Sequence, residues 1–374
     1  MKINTIILKN MCSKLLNALD TDSYTILSEA VELKVENGIL SMSVAGDEYA
    51  VVITDSDRMG SNEQFRAVVS ADVFLKLINQ TTTEQVELSI ADSTLTLKGN
   101  GEYKFPMTYD GDALIEFPDF SIENETNSFT LNSDVLSSIL TYNSREFNNS
   151  TVVAPIQKMY YIDGEGCITF TSGACVNNFK LPNDVVLLLS KKIVKLFKLF
   201  TDSDHDVNVA IGEDNSNGKS LHKLTLKDDT TCVTCLINNG KDMVDKVPKD
   251  TIREMADKEY PYCVTLSKHD MLGILNRMGI FMSTKSYEQH YAYFEFGEDG
   301  VEILDKNRHN IETLKYNKSV SDISDSESVI LDLYDVKSAV EAIKTDTFSI
   351  HFGDHKAVVF KHSNISNIIP ECDI

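Results

Sequence analysis

The sequence has no apolar run near 18 residues, no proline-rich or low-complexity tract, and no regular framework of cysteines. Without a long apolar run we expect no membrane-spanning helix and no membrane partner. The first ten residues make a poor signal peptide, because Lys9 and Asn10 cut their apolar stretch to four residues. Seven scattered cysteines are typical of a reducing compartment. The sequence therefore predicts a globular cytoplasmic protein, and its 374 residues suffice for two or three domains.

Motifs of catalysis and metal binding are also lacking. There is no phosphate loop, no GxGxxG that opens a helix, no HExxH and no nucleophile elbow. The lone CxxC pair, Cys232 and Cys235, lies in a predicted strand, where positions i and i+3 point to opposite faces. The acidic run at 202–206 has the spacing of a calcium loop, but Val207 stands where an EF-hand requires glycine. We therefore expect no enzymatic activity, no metal and no cofactor.

Basic residues are few, with 35 Lys and Arg against 57 Asp and Glu, which gives a formal net charge of −22. The segment 189–200, LSKKIVKLFKLF, nevertheless holds four lysines and no acid. Lys191, Lys195 and Lys198 fall at i, i+4 and i+7, on one stripe of a helix whose other side is apolar. A basic stripe on an acidic chain predicts contact with the phosphates of nucleic acid. Lysines that merely keep the helix soluble are the alternative.

A strand, an N-cap residue, a helix and a β-hairpin recur six times, at a spacing of roughly 65 residues. The helices are predicted at 8–19, 71–79, 133–145, 190–200, 267–278 and 335–344. These six segments hold 12 basic and 5 acidic residues, so the excess of acid lies elsewhere. Hairpins such as VELKVENGILSMSV and VELSIADSTLTL are indicated by alternating apolar residues on either side of a short turn.

One repeat has too little core to fold alone, so we expect the repeats to pair into three similar domains of α+β class. Each domain would pack two helices on antiparallel sheets. The polar stretches at 117–128 and 247–261 are predicted linkers, which sets the domains at 1–122, 123–253 and 254–374.

The six repeats, the chain length and several local phrases resemble the bacterial β sliding clamp, the processivity ring of replicative DNA polymerase. The phrases include FRAVVSADVFLKLI, VELSIADSTLTLKGNGEYKFPM and TFTSGACVNNFKL, and their order and spacing carry the resemblance. Three domains in one chain favour the bacterial form, which closes into a ring as a head-to-tail homodimer, over two-domain trimeric clamps. Departures from the family pattern are typical of a divergent member, such as one carried by a phage or plasmid.

The resemblance implies a ring that encircles double-stranded DNA without sequence specificity and tethers DNA polymerase and clamp-loader subunits through short peptide motifs. Basic residues of the six helices would then lie near the bore. They are Lys9, Lys14, Lys76, Arg145, Lys191, Lys192, Lys195, Lys198, Lys268, Arg277, Lys337 and Lys344.

The resemblance also implies an apolar pocket for partner peptides between the second and third domains. The matching positions are Ile156, Thr171, Gly173, Ala174, Cys175, Val176, Ser349, Ile369 and Pro370. Ala174 and Cys175 stand where the family usually has a His-Arg pair, so we expect a divergent peptide specificity. Ordinary residues at strand ends are the alternative interpretation.

For the ring contact, the matching positions are Tyr103 and Phe105 on one side and Ile280 and Phe281 on the other. Apolar groups on an edge strand need a cover, which a partner subunit would supply. Burial in the chain's own core is the alternative. The rival function is a clamp-fold adaptor that binds peptides and does not encircle DNA, and the weakly basic second, third and sixth helices favour it.

Overall fold

The structure is a computed structural model that describes residues 1–23, 25–55, 64–144, 154–182, 184–202, 206–216, 219–281, 290–319, 323 and 327–372. It is of mixed α+β class with antiparallel sheets, as the sequence predicts. Within the described residues, no helix has the length and apolar character needed to cross a bilayer.

Eight α-helices lie in the described part of the chain. They are α1 (Thr5–Leu16), α2 (Ala71–Gln80), α3 (Ser133–Tyr142), α4 (Lys191–Lys195), α5 (Lys241–Val244), α6 (Lys249–Asp257), α7 (Lys268–Gly279) and α8 (Leu333–Ala342). Two 3₁₀ helices accompany them, Pro155–Lys158 and Leu196–Phe200.

The strands of the first half of the chain are β1 (Lys2–Asn4), β2 (Ala30–Glu36), β3 (Ile39–Ala45), β4 (Tyr49–Thr54), β5 (Phe65–Ser70), β6 (Gln85–Ala91), β7 (Thr94–Lys98), β8 (Glu102–Pro106), β9 (Tyr109–Asp110), β10 (Ala113–Leu114), β11 (Glu125–Leu131), β12 (Met159–Asp163), β13 (Gly166–Phe170), β14 (Ala174–Asn178) and β15 (Val186–Ser190). Those of the second half are β16 (Val207–Ser216), β17 (Lys219–Lys227), β18 (Thr231–Ile237), β19 (Tyr262–Ser267), β20 (Tyr291–Phe296), β21 (Gly300–Leu304), β22 (Ile311–Lys315), β23 (Lys318–Ser319), β24 (Glu327–Asp332), β25 (Thr347–Phe352), β26 (Ala357–His362) and β27 (Ile365–Pro370).

The chain divides into two compact units, each made of two stretches of sequence. Unit 1 comprises residues 1–137 and 189–239, and unit 2 comprises residues 138–188 and 240–374. The three dividing points fall within α3, within β15 and just before α5. The division into three domains at 122 and 253 remains a prediction.

Unit 1 contains an eight-stranded antiparallel sheet in the order β11-β16-β17-β18-β4-β3-β2-β5. The central ladder joins β18 to β4, with Thr231 opposite Ile53 and Cys235 opposite Tyr49. A four-stranded sheet, β1-β6-β7-β8, completes the unit, with α1 and α2 packed against each other. Strands distant in sequence therefore share one sheet.

Unit 2 contains the strands β12-β13-β14-β27-β26-β25-β19-β23 in one sheet and β22-β21-β20-β24 in a second. Ala174 of β14 lies opposite Ile368 of β27, which joins the two stretches of sequence. Helices α7 and α8 pack together over a large apolar core that includes Phe294, Phe352 and Phe360, all fully buried.

All six predicted helices are present, and their starts follow the capping residues. The first begins at Thr5, three residues before its predicted start, because the side chain of Asn4 accepts a hydrogen bond from the Ile6 amide at 2.8 Å. The last begins at Leu333 and not at 335, because Asp332 accepts hydrogen bonds from two amides of the first turn. The third helix is described only to Tyr142, and its predicted end at Arg145 lies outside the described residues.

The six predicted hairpins are also present. Between β2 and β3, Asn37 and Gly38 both have positive φ, +53° and +76°, as a two-residue turn of the type that matches strand twist requires. Asp92 and Ser93 adopt the same left-handed region between β6 and β7. The predicted CxxC pair lies on β18, where Cys235 is buried and Cys232 is partly exposed, consistent with opposite faces.

The predicted linker at 247–261 contains a helix. Residues Lys249–Asp257 form helix α6, whose Ile252 and Ala256 are buried. The expected boundary between 253 and 254 falls inside this helix. Ile252, Met255 and Ala256 repeat at i, i+3 and i+4, so one apolar side packs on a sheet although most of the helix is polar.

Candidate nucleic-acid interface and peptide pocket

The lysine-rich segment 189–200 begins as helix α4 and continues as the 3₁₀ helix Leu196–Phe200. The Ser190 hydroxyl caps it, since it accepts a hydrogen bond from the Ile193 amide at 3.4 Å and donates one to Glu48 Oε2 at 2.8 Å. The predicted single α-helix is therefore only half α-helical. The lysines still lie on one side of the segment. Residues three apart are aligned in a 3₁₀ helix, which keeps Lys198 in line with Lys195.

The amphipathic character of this segment is confirmed. Lys191, Lys195 and Lys198 are exposed. The apolar residues on the other side are buried in unit 1: Ile193, Val194, Leu196, Phe197, Leu199 and Phe200. Within the described residues, no ion pair engages Lys195 or Lys198. The side chains of Lys195 and Lys198 thus present their charge to solvent, where phosphate oxygens have access to it.

Lys192 has a different role from its neighbours. Its ammonium lies 2.9 Å from Asp20 Oδ2, and the Asp20 side chain is only 3% exposed. The hydrogen bond to Asp20 is the main cause that raises the pKa of Lys192. A buried carboxylate needs a partner charge, so Lys192 acts first as the counter-ion of Asp20 in the fold of unit 1.

Helix α1 contributes Lys9 and Lys14, both partly exposed. The Lys14 ammonium donates to the hydroxyls of Thr230 and Thr231 at 3.3 and 3.1 Å. Lys14 and Lys198 line the same cavity of about 550 Å³. Asp202, Asp228 and Asp229 form part of its wall, so the cavity itself is of mixed charge. Helix α1 and the segment 191–200 therefore present their lysines next to one another.

Three other basic residues of the predicted set form ion pairs with carboxylates. Lys76 pairs with Asp72 at 2.6 Å on α2, and Lys337 with Glu341 at 4.0 Å on α8. The Arg277 guanidinium donates two hydrogen bonds to the Glu312 carboxylate, at 2.6 and 2.8 Å. These pairs offset the positive charge of their helices.

The remaining basic residues lie in unit 2. The Lys268 ammonium hydrogen-bonds to the carbonyl oxygens of Ile343 and Glu341, and so caps the carboxyl end of α8. Lys344 is exposed and stands 5.8 Å from the ring centre of Tyr142. Arg145 lies outside the described residues.

Most of the residues predicted for the peptide pocket lie in or around an apolar cluster of unit 2, on the face of the large sheet that helix α6 covers. The buried side chains of Ala174 and Val176 of β14 and Ile368 of β27 form the floor of this cluster. Ile156 of the 3₁₀ helix Pro155–Lys158 is half-buried against it. Several partly exposed apolar side chains surround this floor, namely Met159, Phe170, Met243, Val244, Met255 and Tyr260. Flexible methionine side chains suit a surface that adapts to different partners.

Two of the predicted pocket residues point away from this surface. Cys175 lies between Ala174 and Val176, and successive residues of a strand point to opposite faces. Ile369 packs in the other core of unit 2, with the aromatic residues of β25 and β26.

Burial raises the pKa of most of the cysteine thiols in the chain, that of Cys235 among them, which keeps these groups protonated.

The other predicted pocket residues lie around the same surface. Thr171 and Gly173 form the β13–β14 turn, in which the Thr171 amide donates to the Gly173 carbonyl at 2.8 Å. Pro370 ends β27 opposite Ala357. The Ser349 hydroxyl lies 2.9 Å from His351 Nε2. Burial lowers the pKa of His351 to about 4, so this imidazole is neutral at pH 7.

Sequence reasoning missed the contribution of α5 and α6 to this surface. Met243, Val244 and Val247 come from α5 and the turn after it, and Ile252 and Ala256 from α6. Arg253 holds α6 to the β12–β13 turn through hydrogen bonds of 2.6 and 2.9 Å to the two oxygens of Asp163. The spacing of the apolar residues within 252–256 was the sequence signal that could have indicated this helix.

The residues predicted for the ring contact differ in exposure. Strand β8 is an edge of its sheet, as expected, and Tyr103 on it is 37% exposed. Phe105 is buried and packs edge-on against Phe74 at 5.4 Å, so its burial in the core is what the structure supports. In unit 2, Ile280 and Phe281 are 77% and 61% exposed directly after α7.

A further exposed apolar residue lies on a second edge strand. Ile311 of β22 is 55% exposed, and β22 is an edge of the four-stranded sheet of unit 2. The Arg277–Glu312 pair fastens this strand to the end of α7. Units 1 and 2 each therefore carry an unpaired edge with an apolar side chain on it. Within the described residues, no cluster of metal-ligating side chains is present.

The arrangement of strands and helices in the two units is that of the DNA sliding clamps, and the resemblance seen in the sequence is confirmed at the level of the fold. The sliding clamp of Bacillus subtilis matches with a TM-score of 0.81 at 12% identity, covering 100% of this chain and 98% of that one. The DNA polymerase III subunit beta of Borrelia burgdorferi matches with 0.80 at 13%, covering 100% and 99%. That of Thermotoga maritima matches with 0.76 at 14%, covering 100% and 99%.

Sequence comparison alone finds no relative. No family model matches the chain, and no curated protein matches it. The sequence is therefore a divergent one on a clamp fold.

Proposed function

We propose that this protein is a DNA sliding clamp, a non-enzymatic processivity factor that encircles duplex DNA as a homodimeric ring. The observation that carries the proposal is the whole-length match to clamp structures, combined with an exposed basic stripe on an acidic chain. Encirclement reconciles a net charge of −22 with DNA association, because topological linkage holds the protein while only a few lysines meet phosphate.

The ring would close by pairing edge strand β8 of one subunit with edge strand β22 of the next. Tyr103 would lie on one side of the contact, and Ile280, Phe281 and Ile311 on the other. A contact between two different surfaces generates a ring when its rotation closes. Unpaired edges with exposed apolar residues are otherwise a liability for aggregation, which supports the interpretation that a partner subunit covers them.

Partner proteins, among them a polymerase and the subunits of a clamp loader, would dock short peptides on the apolar surface around Ala174 and Val176. The partly exposed methionines of this surface support a peptide site. We also propose the three-domain division and a cytoplasmic location on the grounds given for the sequence.

The test combines oligomeric state with retention on DNA. Light scattering at micromolar concentration should give a mass near twice the 41.8 kDa of the chain. The variant I280E/F281E places two carboxylates in the contact and should yield the monomer, whereas the exposed-site control I26E should remain dimeric. After loading, the wild-type ring should stay on closed circular DNA in high salt and leave when the circle is cut.

A stable wild-type monomer that is never retained on circles would contradict the ring. It would leave a clamp-fold adaptor that binds peptides only, which the paired charges on α2 and α8 would then explain.

A further inference from the structure

The positive charge of the helices is distributed unequally between the two units. Within its bounds, α1 carries two lysines and no acid, and the segment 191–200 carries four lysines and no acid. Helix α8 has more acidic than basic residues, and α2 has one of each. Both of the strongly basic segments belong to unit 1.

The local contacts increase this inequality. In unit 2, Arg277 and Lys337 face carboxylates, and Lys268 is engaged with the carbonyl groups at the end of α8. In unit 1, Lys76 and Lys192 also face carboxylates, but Lys195 and Lys198 are exposed, and no carboxylate pairs with them in the described part of the chain. An ammonium that already faces a carboxylate releases little additional counter-ion on meeting a phosphate, so it adds little to DNA affinity.

Neutral polar groups flank the lysines of unit 1. Ser13 of α1, Asn17 just after α1 and Thr201 just after the 3₁₀ helix line the same cavity as Lys14 and Lys198. Hydroxyl and amide side chains, together with lysine, are the groups that commonly bind the phosphates of nucleic acid. Asp202, Asp228 and Asp229 also line this cavity and would repel phosphate, so we expect the phosphate contact on the exposed lysine stripe and not inside the cavity.

We propose that the protein grips duplex DNA mainly through unit 1, with the phosphate contacts made by α1 and the segment 191–200 and few made by the helices of unit 2. This inference rests on the proposed function, since it names which part of the clamp meets the duplex. The ligand is the phosphate backbone, because the stripe has no exposed aromatic side chain for stacking on bases.

The test measures binding of the full-length protein to a short linear duplex by fluorescence anisotropy over a range of salt concentrations. The stripe variant K191Q/K195Q/K198Q removes three charges from unit 1, and R277Q/K337Q/K344Q removes three from unit 2. The strand variant K2Q/K227Q/K318Q removes the same charge from exposed strand positions as a control. Each phosphate contact contributes about 0.9 to the slope of log affinity against log salt.

We expect the stripe variant to lower the salt slope by about 3 and to weaken binding at least tenfold at low salt. The unit 2 variant should lower the slope by less than about 1, as should the strand control. The charge-preserving variant K191R/K195R/K198R should keep the wild-type slope, which separates loss of charge from loss of fold.

Equal slopes for the stripe and unit 2 variants would overturn the grip through unit 1 in favour of contacts distributed over both units. A wild-type protein with no affinity for duplex would overturn it as well. Retention on circular DNA reports on the ring separately: a ring that is retained but shows equal slopes refutes the grip alone, and unequal slopes without retention refute the ring alone.

Discussion

Replacing Lys192 with methionine tests whether this lysine stabilises the fold, in contrast to its neighbours on the stripe. The side chain of Lys192 is 32% exposed, and it pairs with Asp20, whose side chain is 3% exposed. Methionine keeps much of the side-chain volume and removes the charge. Asp20 would then retain a hydrogen bond from the Asp22 amide, at 3.2 Å, without a counter-ion.

The expected cost follows from the burial of the carboxylate. Removing one partner of a fully buried ion pair costs about 3–5 kcal/mol, because the other charge is left unpaired. Water reaches the lysine side of this pair, so we discount the loss to about 2 kcal/mol. For a unit of this size that corresponds to a fall in unfolding temperature of about 4–8 °C.

The assay is calorimetric unfolding at pH 7, where the raised pKa of Lys192 ensures that the ammonium is charged in the wild type. The matched control is K195M, which removes an exposed lysine from the same helix and should change the unfolding temperature by about 1 °C or less. The double variant D20N/K192M removes both charges and should regain most of the lost stability. The reasoning is refuted if K192M unfolds at the wild-type temperature, or if the double variant is no more stable than K192M.

Two further predictions concern unit 2. R253A breaks the two-pronged pair with Asp163 and should cost about 2 kcal/mol at pH 7, while K258A, which breaks a more exposed pair with Asp354, should cost less than about 1 kcal/mol. Burial alone would raise the pKa of Asp163, but the hydrogen bonds from Arg253 prevail and lower it. The pair therefore stabilises the fold above the unfolded pKa of about 3.9. The difference in stability between R253A and wild type should shrink as pH falls through the lower folded pKa. Chemical denaturation at pH 7 and below pH 4 measures this, and a constant difference would contradict it. G166A should cost about 1–3 kcal/mol, because φ is +147° and the added Cβ would lie 2.1 Å from the Asn177 carbonyl oxygen, whereas G240A has open space around it and should be close to neutral in the same denaturation assay.

The local elements were predictable because their signals are local. Asn4, Ser190 and Ser267 cap helices through their own side chains, and Asn37 with Gly38 turns a hairpin, so each element carries its own start or turn. Helix α6 was missed since its apolar side is short and most of its residues are charged, which is also the composition of a linker.

The long-range contacts were not predictable, because nothing near a residue in sequence fixes its distant partner. Nothing in the sequence near Lys192 and Lys195 distinguishes the two lysines of this amphipathic helix. Their roles differ because Lys192 pairs with the buried side chain of Asp20. Likewise, the resemblance placed Cys175 beside Val176 in one pocket, although the alternation of β14 sends them to opposite faces of the sheet. The exposed lysine stripe was predictable, since amphipathic spacing alone determines which side of a helix meets solvent.

The pairing of β4 with β18 has a consequence for how the protein is made. Strand β4 leaves the ribosome long before β18, and residues 138–188 of the other unit are synthesised between the two stretches of unit 1. Until residue 239 has emerged, Val51 and its neighbours lie on an uncovered edge, open to pairing with other nascent chains. A fragment that stops at residue 122 would carry that edge permanently. Expression of isolated thirds of the chain should therefore yield aggregated material, and a fragment must extend to residue 239 to complete its first sheet.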